Sequence, residues 1–206
     1  MISHPILPNG YNEVKKISFT ENKRFSVIIN IAALIVCVIM IAPMLIIVPL
    51  ETLFHISSDE DVKLLIIKMA VLALSEYLYI ILHEAIHGIF VRIISGKWGK
   101  FGFKSVYAYA SCDTYLGKKE YIIIALAPIV IFGILLGVIS VLVSAEWFWV
   151  VYLVQITNIS GAVGDVYVTY TITRLPKDTL IFDTGLEMTA FSNEMPVNDK
   201  TDDQKG

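Results

Sequence analysis

Charge is scarce in this 206-residue chain: 17% of its residues are Asp, Glu, Lys or Arg, against about 25% in a soluble globular domain. With 56% hydrophobic residues and a mean hydropathy of +0.69, that shortfall excludes an ordinary soluble domain and puts the chain in the membrane class. A basic excess is also lacking. Sixteen Lys and Arg against nineteen Asp and Glu leave a net charge of -3, so nothing points to nucleic acid. Cysteine is nearly absent. Cys37 and Cys112 form no CxxC pair, which excludes a disulfide framework. Internal repeats are not evident. No signal peptide is expected, because the first 24 residues are polar and the apolar run after them is too long for an h-region.

What the chain does have is long apolar runs. Four are of a length to cross a bilayer, which takes about 20 residues: 25–50, 64–94, 121–143 and 147–172. The expectation is an all-α membrane protein of four transmembrane helices, with a short cytoplasmic β-strand or hairpin between the second and third. Residues 1–24 form a cytoplasmic N-terminal segment, 25–191 the membrane domain, and 192–206 a polar, disordered tail. Loop charges set the orientation. Lys15, Lys16, Lys23 and Arg24 precede the first span, and Glu51, Asp59, Glu60 and Asp61 follow it. Arg92, Lys97, Lys100, Lys104, Lys118 and Lys119 lie between spans two and three, and Arg174 and Lys177 follow span four. This alternation predicts a multi-pass protein of the cell membrane with both termini cytoplasmic. Trp147 and Trp149 fit an outer aromatic belt.

The second span contains His83-Glu84-Ala85-Ile86-His87. Residues four apart share a helix face, so this HExxH pattern aims two imidazoles at one point and sets a carboxylate beside them. Such a set holds zinc and supplies a general base. Glu84 is the candidate catalytic base, taking a proton from a water that the metal acidifies. The flanks, Tyr77 to Leu82 and Gly88 to Val91, are apolar. Three unpaired polar groups there would cost several kcal/mol in a membrane, so chance is a poor account of the motif.

Zinc needs a third protein ligand and an open position. Asp165 is the choice: it is the acid in the body of the fourth span, 18 residues beyond Trp147, while His83 lies 19 residues beyond Leu64. At 1.5 Å per residue both sit roughly 27–29 Å from the outer surface. Cys112 and Asp113 in the basic loop remain alternatives. Asn158 lies seven residues before Asp165, on nearly the same face. Gly161 and Gly164, between them, read as small residues that let helices approach closely. Glu76 is on the stripe of His83 but about 13 Å along the helix from the two imidazoles. It is expected to line a polar cavity or to hydrogen-bond between helices rather than to bind metal.

Ser95-Gly96-Lys97 stops the second helix. Residues 101–111 then alternate, with Phe101, Phe103, Tyr107 and Tyr109 as the aromatic members, which signals a strand or hairpin. Its two readings are an edge that pairs with a substrate and an interfacial loop whose aromatics sit at headgroups. Pro43 and Pro128 fall inside spans and predict kinks. Gly133 and Gly137 make a GxxxG that reads as helix packing, and 175–191 has strand-like apolar content.

Together, HEAIHG at 83–88, ALAP at 125–128 and NISGAVGD at 158–165 resemble the bacterial putative zincin peptidases. More distantly, the chain is similar to the site-2 proteases, intramembrane zinc metalloproteases that carry HExxH in one span and Asp in a later one. The resemblance covers roughly residues 65 to 190. It implies zinc as cofactor, His83, His87 and Asp165 as ligands, Glu84 as base, a bacterial cell membrane, and a membrane-protein or peptide substrate. Here Asp165 ends a Gly-Asp pair, where site-2 proteases usually have Asp-Gly, and no PDZ-like domain is present. The competing expectation is a metal-ion transporter or metal-binding membrane protein without proteolysis, for which Glu76 would be a second polar station.

Overall fold

The computed structural model describes residues 3–18, 23–104, 107–185 and 187–194. Four helical stretches are long and apolar enough to cross a membrane: α1 (Lys23–Ile47), α3 (Asp59–Ser95), α4 (Lys118–Leu142) and the joined pair α5 (Ala145–Gly161) and α6 (Val163–Thr173). A one-turn helix, α2 (Glu51–Phe54), links the first two. α3 begins earlier than its apolar run because capping, not hydropathy, sets where this helix starts. The hydroxyl of Ser58 accepts the amide of Asp61 at 3.3 Å, and Asp59, Glu60 and Asp61 lie in the first turn, where acids complement the helix dipole. At the other end Gly96 takes φ 75° and its amide donates to Arg92 O at 3.0 Å. A positive φ favours glycine, which has no Cβ to strain. The result is a helix of 37 residues.

The fourth span is not one continuous helix. It breaks at Ala162 (φ -81°, ψ 8°). Gly161, next to this alanine, and Gly164, two residues past it, are poor helix formers, and the break falls three residues before Asp165.

The fold is less purely helical than the apolar runs indicate. Six strands form an antiparallel sheet: β1 (Ser3–His4), β2 (Asn12–Ser18), β3 (Lys100–Lys104), β4 (Tyr107–Gly117), β5 (Leu180–Asp183) and β6 (Glu187–Ser192). The path is β1-β4-β5-β6-β2, and β3 pairs β4. The expected hairpin is therefore one part of a larger sheet. The N-terminal segment supplies β2, which pairs with β6 from Asn12↔Ser192 to Ser18↔Glu187. β2 reads NEVKKIS, too charged to announce a strand; its pairing with β6 and the burial of Ile17 in the sheet core hold it. In β3–β4, Phe101 pairs Ala110 and Phe103 pairs Ala108 in register. Ser192 closes β6 and its hydroxyl donates to Asp178 at 2.6 Å. Residues 195–206, most of the expected tail, lie outside the described residues.

One core joins the sheet to the helix ends: Val91 and Ile94 of α3, Tyr121 and Ile124 of α4, and Val168 and Ile172 of α6 pack with Leu116, Ile181, Met188 and Ala190 of the strands. A second core lies at the opposite end, where Leu53, Trp149 and Val150 meet. Trp149 is 2% exposed, so it packs inside rather than joining an aromatic belt. Lys68 is also buried there, with Nζ 3.1 Å from Thr52 O and 3.7 Å from Glu146. α1 buries no residue and turns Ile28, Leu34, Ile39 and Ile46 outward.

Candidate metal centre

α3 carries His83 and His87 one turn apart, and the first turn of α6 brings Asp165 to them. One donor atom from each of the three lies within 4.8 Å of the others. The two Nε2 atoms are 3.2 Å apart, and an Asp165 carboxylate oxygen is 3.5 Å from that of His83 and 3.9 Å from that of His87. All three residues are largely, but not fully, shielded from solvent.

The hydrogen-bond network assigns the tautomers. Asn158, which has no exposed surface, donates through Nδ2 to Ile129 O at 3.3 Å, which leaves its Oδ1 as an acceptor. Tyr79 donates its single hydroxyl proton to that oxygen at 3.2 Å. The Tyr79 oxygen therefore accepts from His83 Nδ1–H, at 2.9 Å. His87 Nδ1 donates to Ile124 O, also at 2.9 Å, because a carbonyl only accepts. Both Nε2 atoms are then lone-pair donors aimed at the same point as a carboxylate. Three such donors repel one another unless a cation lies between them, and imidazole nitrogen with carboxylate oxygen suits zinc.

That Ile124 carbonyl is available for a reason. In an α-helix it would accept the amide of residue 128, but Pro128 has no amide hydrogen. Tyr79, one turn before His83, is a residue at the site that sequence reasoning missed, and Pro128, read there as a kink and as the end of ALAP, was missed in this contact. The four-residue offset of Tyr79 and the proline four residues past Ile124 were the available signals.

The remaining candidates fall outside the cluster. Glu84 follows His83 on α3, half-buried beside the ligand pair. Glu76 accepts the Thr157 hydroxyl at 3.0 Å, bridging α3 to α5. Asp113 is exposed and ion-paired with Lys100. Cys112 is buried in the sheet core, where burial pushes its thiol above the usual range. Gly161 and Gly164 do not bring helices together, since a Cβ at either would meet nothing within 4 Å. Gly137 is equally open, while a Cβ on Gly133 would touch Asn158 at 3.7 Å. The tight approach is elsewhere: a Cβ on Gly99 would lie 3.0 Å from Ser111 O and 3.7 Å from Gly88 Cα. It brings the start of the hairpin against α3 one residue past His87. Beside it, Tyr121 donates its hydroxyl to Asp183 of β5.

A helix-borne HExxH joined by an acid from a second helix places the site among metallopeptidases of the zincin kind. The comparison with known families agrees: the model described as "Putative zincin peptidase" matches residues 77–180, and the chain belongs to that family. The matched segment contains every residue of the cluster, and the family description carries zinc with it. A curated relative, an uncharacterized 24.7 kDa protein of Pyrococcus woesei, is 30% identical over 127 residues. The match covers 57% of this chain and 53% of the relative, so the chain spans about half the length of the curated relative it matches. No solved structure matches the chain.

Proposed function

We infer that this chain is a membrane-embedded zinc metallopeptidase that hydrolyses peptide bonds of membrane or membrane-proximal substrates near the cytoplasmic face, in the manner of the site-2 proteases. The observation that carries the reading is the convergence of two Nε2 lone pairs and the Asp165 carboxylate, with both Nδ1 protons already committed. His83, His87 and Asp165 would hold the zinc. Bound there, zinc supplies Lewis acidity to a water molecule and to a scissile carbonyl. Glu84 accepts the proton of the water and returns it to the departing amine.

Membrane placement is supported by the outward apolar face of α1 and by four helices of spanning length. The sheet ties residues 12–18, 107–117 and 187–192 together at one end of the bundle, so these segments share a side. The basic residues on that side favour the cytoplasm. Asp165 and the histidines lie toward this end, which gives water a short route to the site.

The transporter alternative draws on the Glu76–Thr157 contact inside the helix bundle. A transit path needs several such stations, and among the described residues one cluster of three metal-ligating side chains occurs. Metal analysis of the purified full chain in detergent tests the proposal. The wild type should carry about one zinc per chain, and Asp165→Ala and His83→Ala should lose it. Full zinc retention in Asp165→Ala, with loss in Asp113→Ala or Cys112→Ala, overturns the ligand set.

A further inference from the structure

A basic cleft of about 860 Å³ opens between β2, the start of α1 and α6. Its lining includes Lys15 and Lys16 from the strand, Lys23 and Arg24 from the helix start, and the rings of Phe25 and Tyr167. Glu187 pairs with Lys16 at 2.8 Å from outside the cleft. Among the described residues no acid lines it, and no carboxylate pairs with Lys15, Lys23 or Arg24.

The charge is placed against the usual rule. Cations are favoured at helix C-termini and acids at N-termini. α1 nevertheless has Lys23 and Arg24 in its first turn and no acid there. Two cations beside a positive helix end, faced by Lys15 from a strand, make a concentration of positive potential that an anion relieves. The level of the cleft identifies the anion. α1 leaves this cleft as a helix with no buried residue, so on the membrane reading its first turn stands at the lipid surface. Tyr167, with its ring centroid 4.8 Å from that of Phe25, supplies an amphipathic ring of the kind that settles at headgroup depth. Tyr170 and Arg174 continue the same face of α6, with the guanidinium 4.9 Å from the ring.

We propose that this cleft binds the phosphodiester headgroup of an anionic phospholipid of the cytoplasmic leaflet, between the N-terminal strand and the helix that carries Asp165. Basic pockets between spans at the cytoplasmic surface recognise such headgroups. The proposal rests on the membrane placement above, but not on peptidase activity.

The test is thermal unfolding of the full chain in phosphatidylcholine micelles, titrated with phosphatidylglycerol or with inorganic phosphate. Phosphatidylglycerol should raise the midpoint saturably, and phosphate at equal concentration should not. The variant Lys15→Gln/Lys16→Gln/Lys23→Gln/Arg24→Gln should bind the anionic lipid at least about tenfold more weakly. A control that removes four charges outside the cleft, Lys97→Gln/Lys100→Gln/Lys119→Gln/Lys177→Gln, should keep the shift. If the four-site variant fails to fold, Lys23→Gln/Arg24→Gln alone should show a partial loss. An unshifted wild type, an equal shift with phosphate, or an equal loss in the control overturns the proposal.

Discussion

His87 depends on Pro128: the proline leaves the Ile124 carbonyl without its helical donor, and His87 Nδ1 supplies one from 2.9 Å. This fixes the tautomer that offers Nε2 to a metal. Pro128→Ala restores an amide that competes for the same carbonyl. Zinc affinity should fall about 10- to 100-fold, the usual effect of removing a partner that orients a ligand. Competition against a chelator measures it, and unchanged helicity by circular dichroism separates the effect from unfolding. Equal affinity in Pro128→Ala would show that the freed carbonyl is incidental.

Tyr79 does for His83 what the carbonyl does for His87. Tyr79→Phe removes the acceptor of Nδ1–H and leaves Asn158 Oδ1 without its donor. Zinc affinity should drop about tenfold or more, and an Asn158→Leu/Tyr79→Phe double variant should lose little beyond that, because both act through one chain of bonds. Additive losses would separate the two residues.

Glu84→Gln is nearly isosteric and cannot accept a proton. The variant should retain zinc and fold while cleavage of a co-expressed membrane substrate falls about 10²- to 10⁴-fold. Wild-type cleavage by this variant would end the peptidase reading.

Asp183 predicts a pH dependence. Burial pushes its carboxyl up from 3.8 to about 6. A carboxyl whose folded value is raised binds its proton more tightly in the native state. Its contribution to stability is therefore complete below about pH 4 and lost as pH rises through about 6. Asp183→Asn should flatten the pH profile of the unfolding midpoint across that window and leave the protein more stable than wild type near pH 7. A profile unchanged by the substitution would remove Asp183 from the account.

Topology is testable by cysteine labelling of intact cells in a background lacking Cys37 and Cys112. Cysteine at Ser57 should react with an impermeant maleimide, and cysteine at Lys97 should not. The reverse pattern would invert the protein.

The sequence shows the site better than the scaffold around it. His83, His87 and Asp165 are legible because ionisable groups in apolar runs are costly and therefore conspicuous. Helical rise also set them at one depth, and the histidine and aspartate do meet. Tyr79 and Pro128 were harder to see. An aromatic and a proline in a hydrophobic helix look like packing and a kink, and their roles appear only when bonds are traced. Hydropathy located four long helices but not the break at Ala162, since three small residues in a row leave the average almost untouched. The sheet was the largest omission. β1 has two residues and β2 is mostly polar, so neither carries the alternation that marks a half-buried strand.

The pairing of β2 with β6 also sets an order of events during synthesis. A strand that ends at Ser18 has its partner at residues 187–192, so it emerges with nothing to pair with until residue 187 and those after it have been made. Contacts this distant along the chain form late and slowly. The helices can form one after another while the face of Leu116, Ile181 and Met188 is still unassembled. A chain cut before residue 187 would therefore leave its N-terminal strand without this partner.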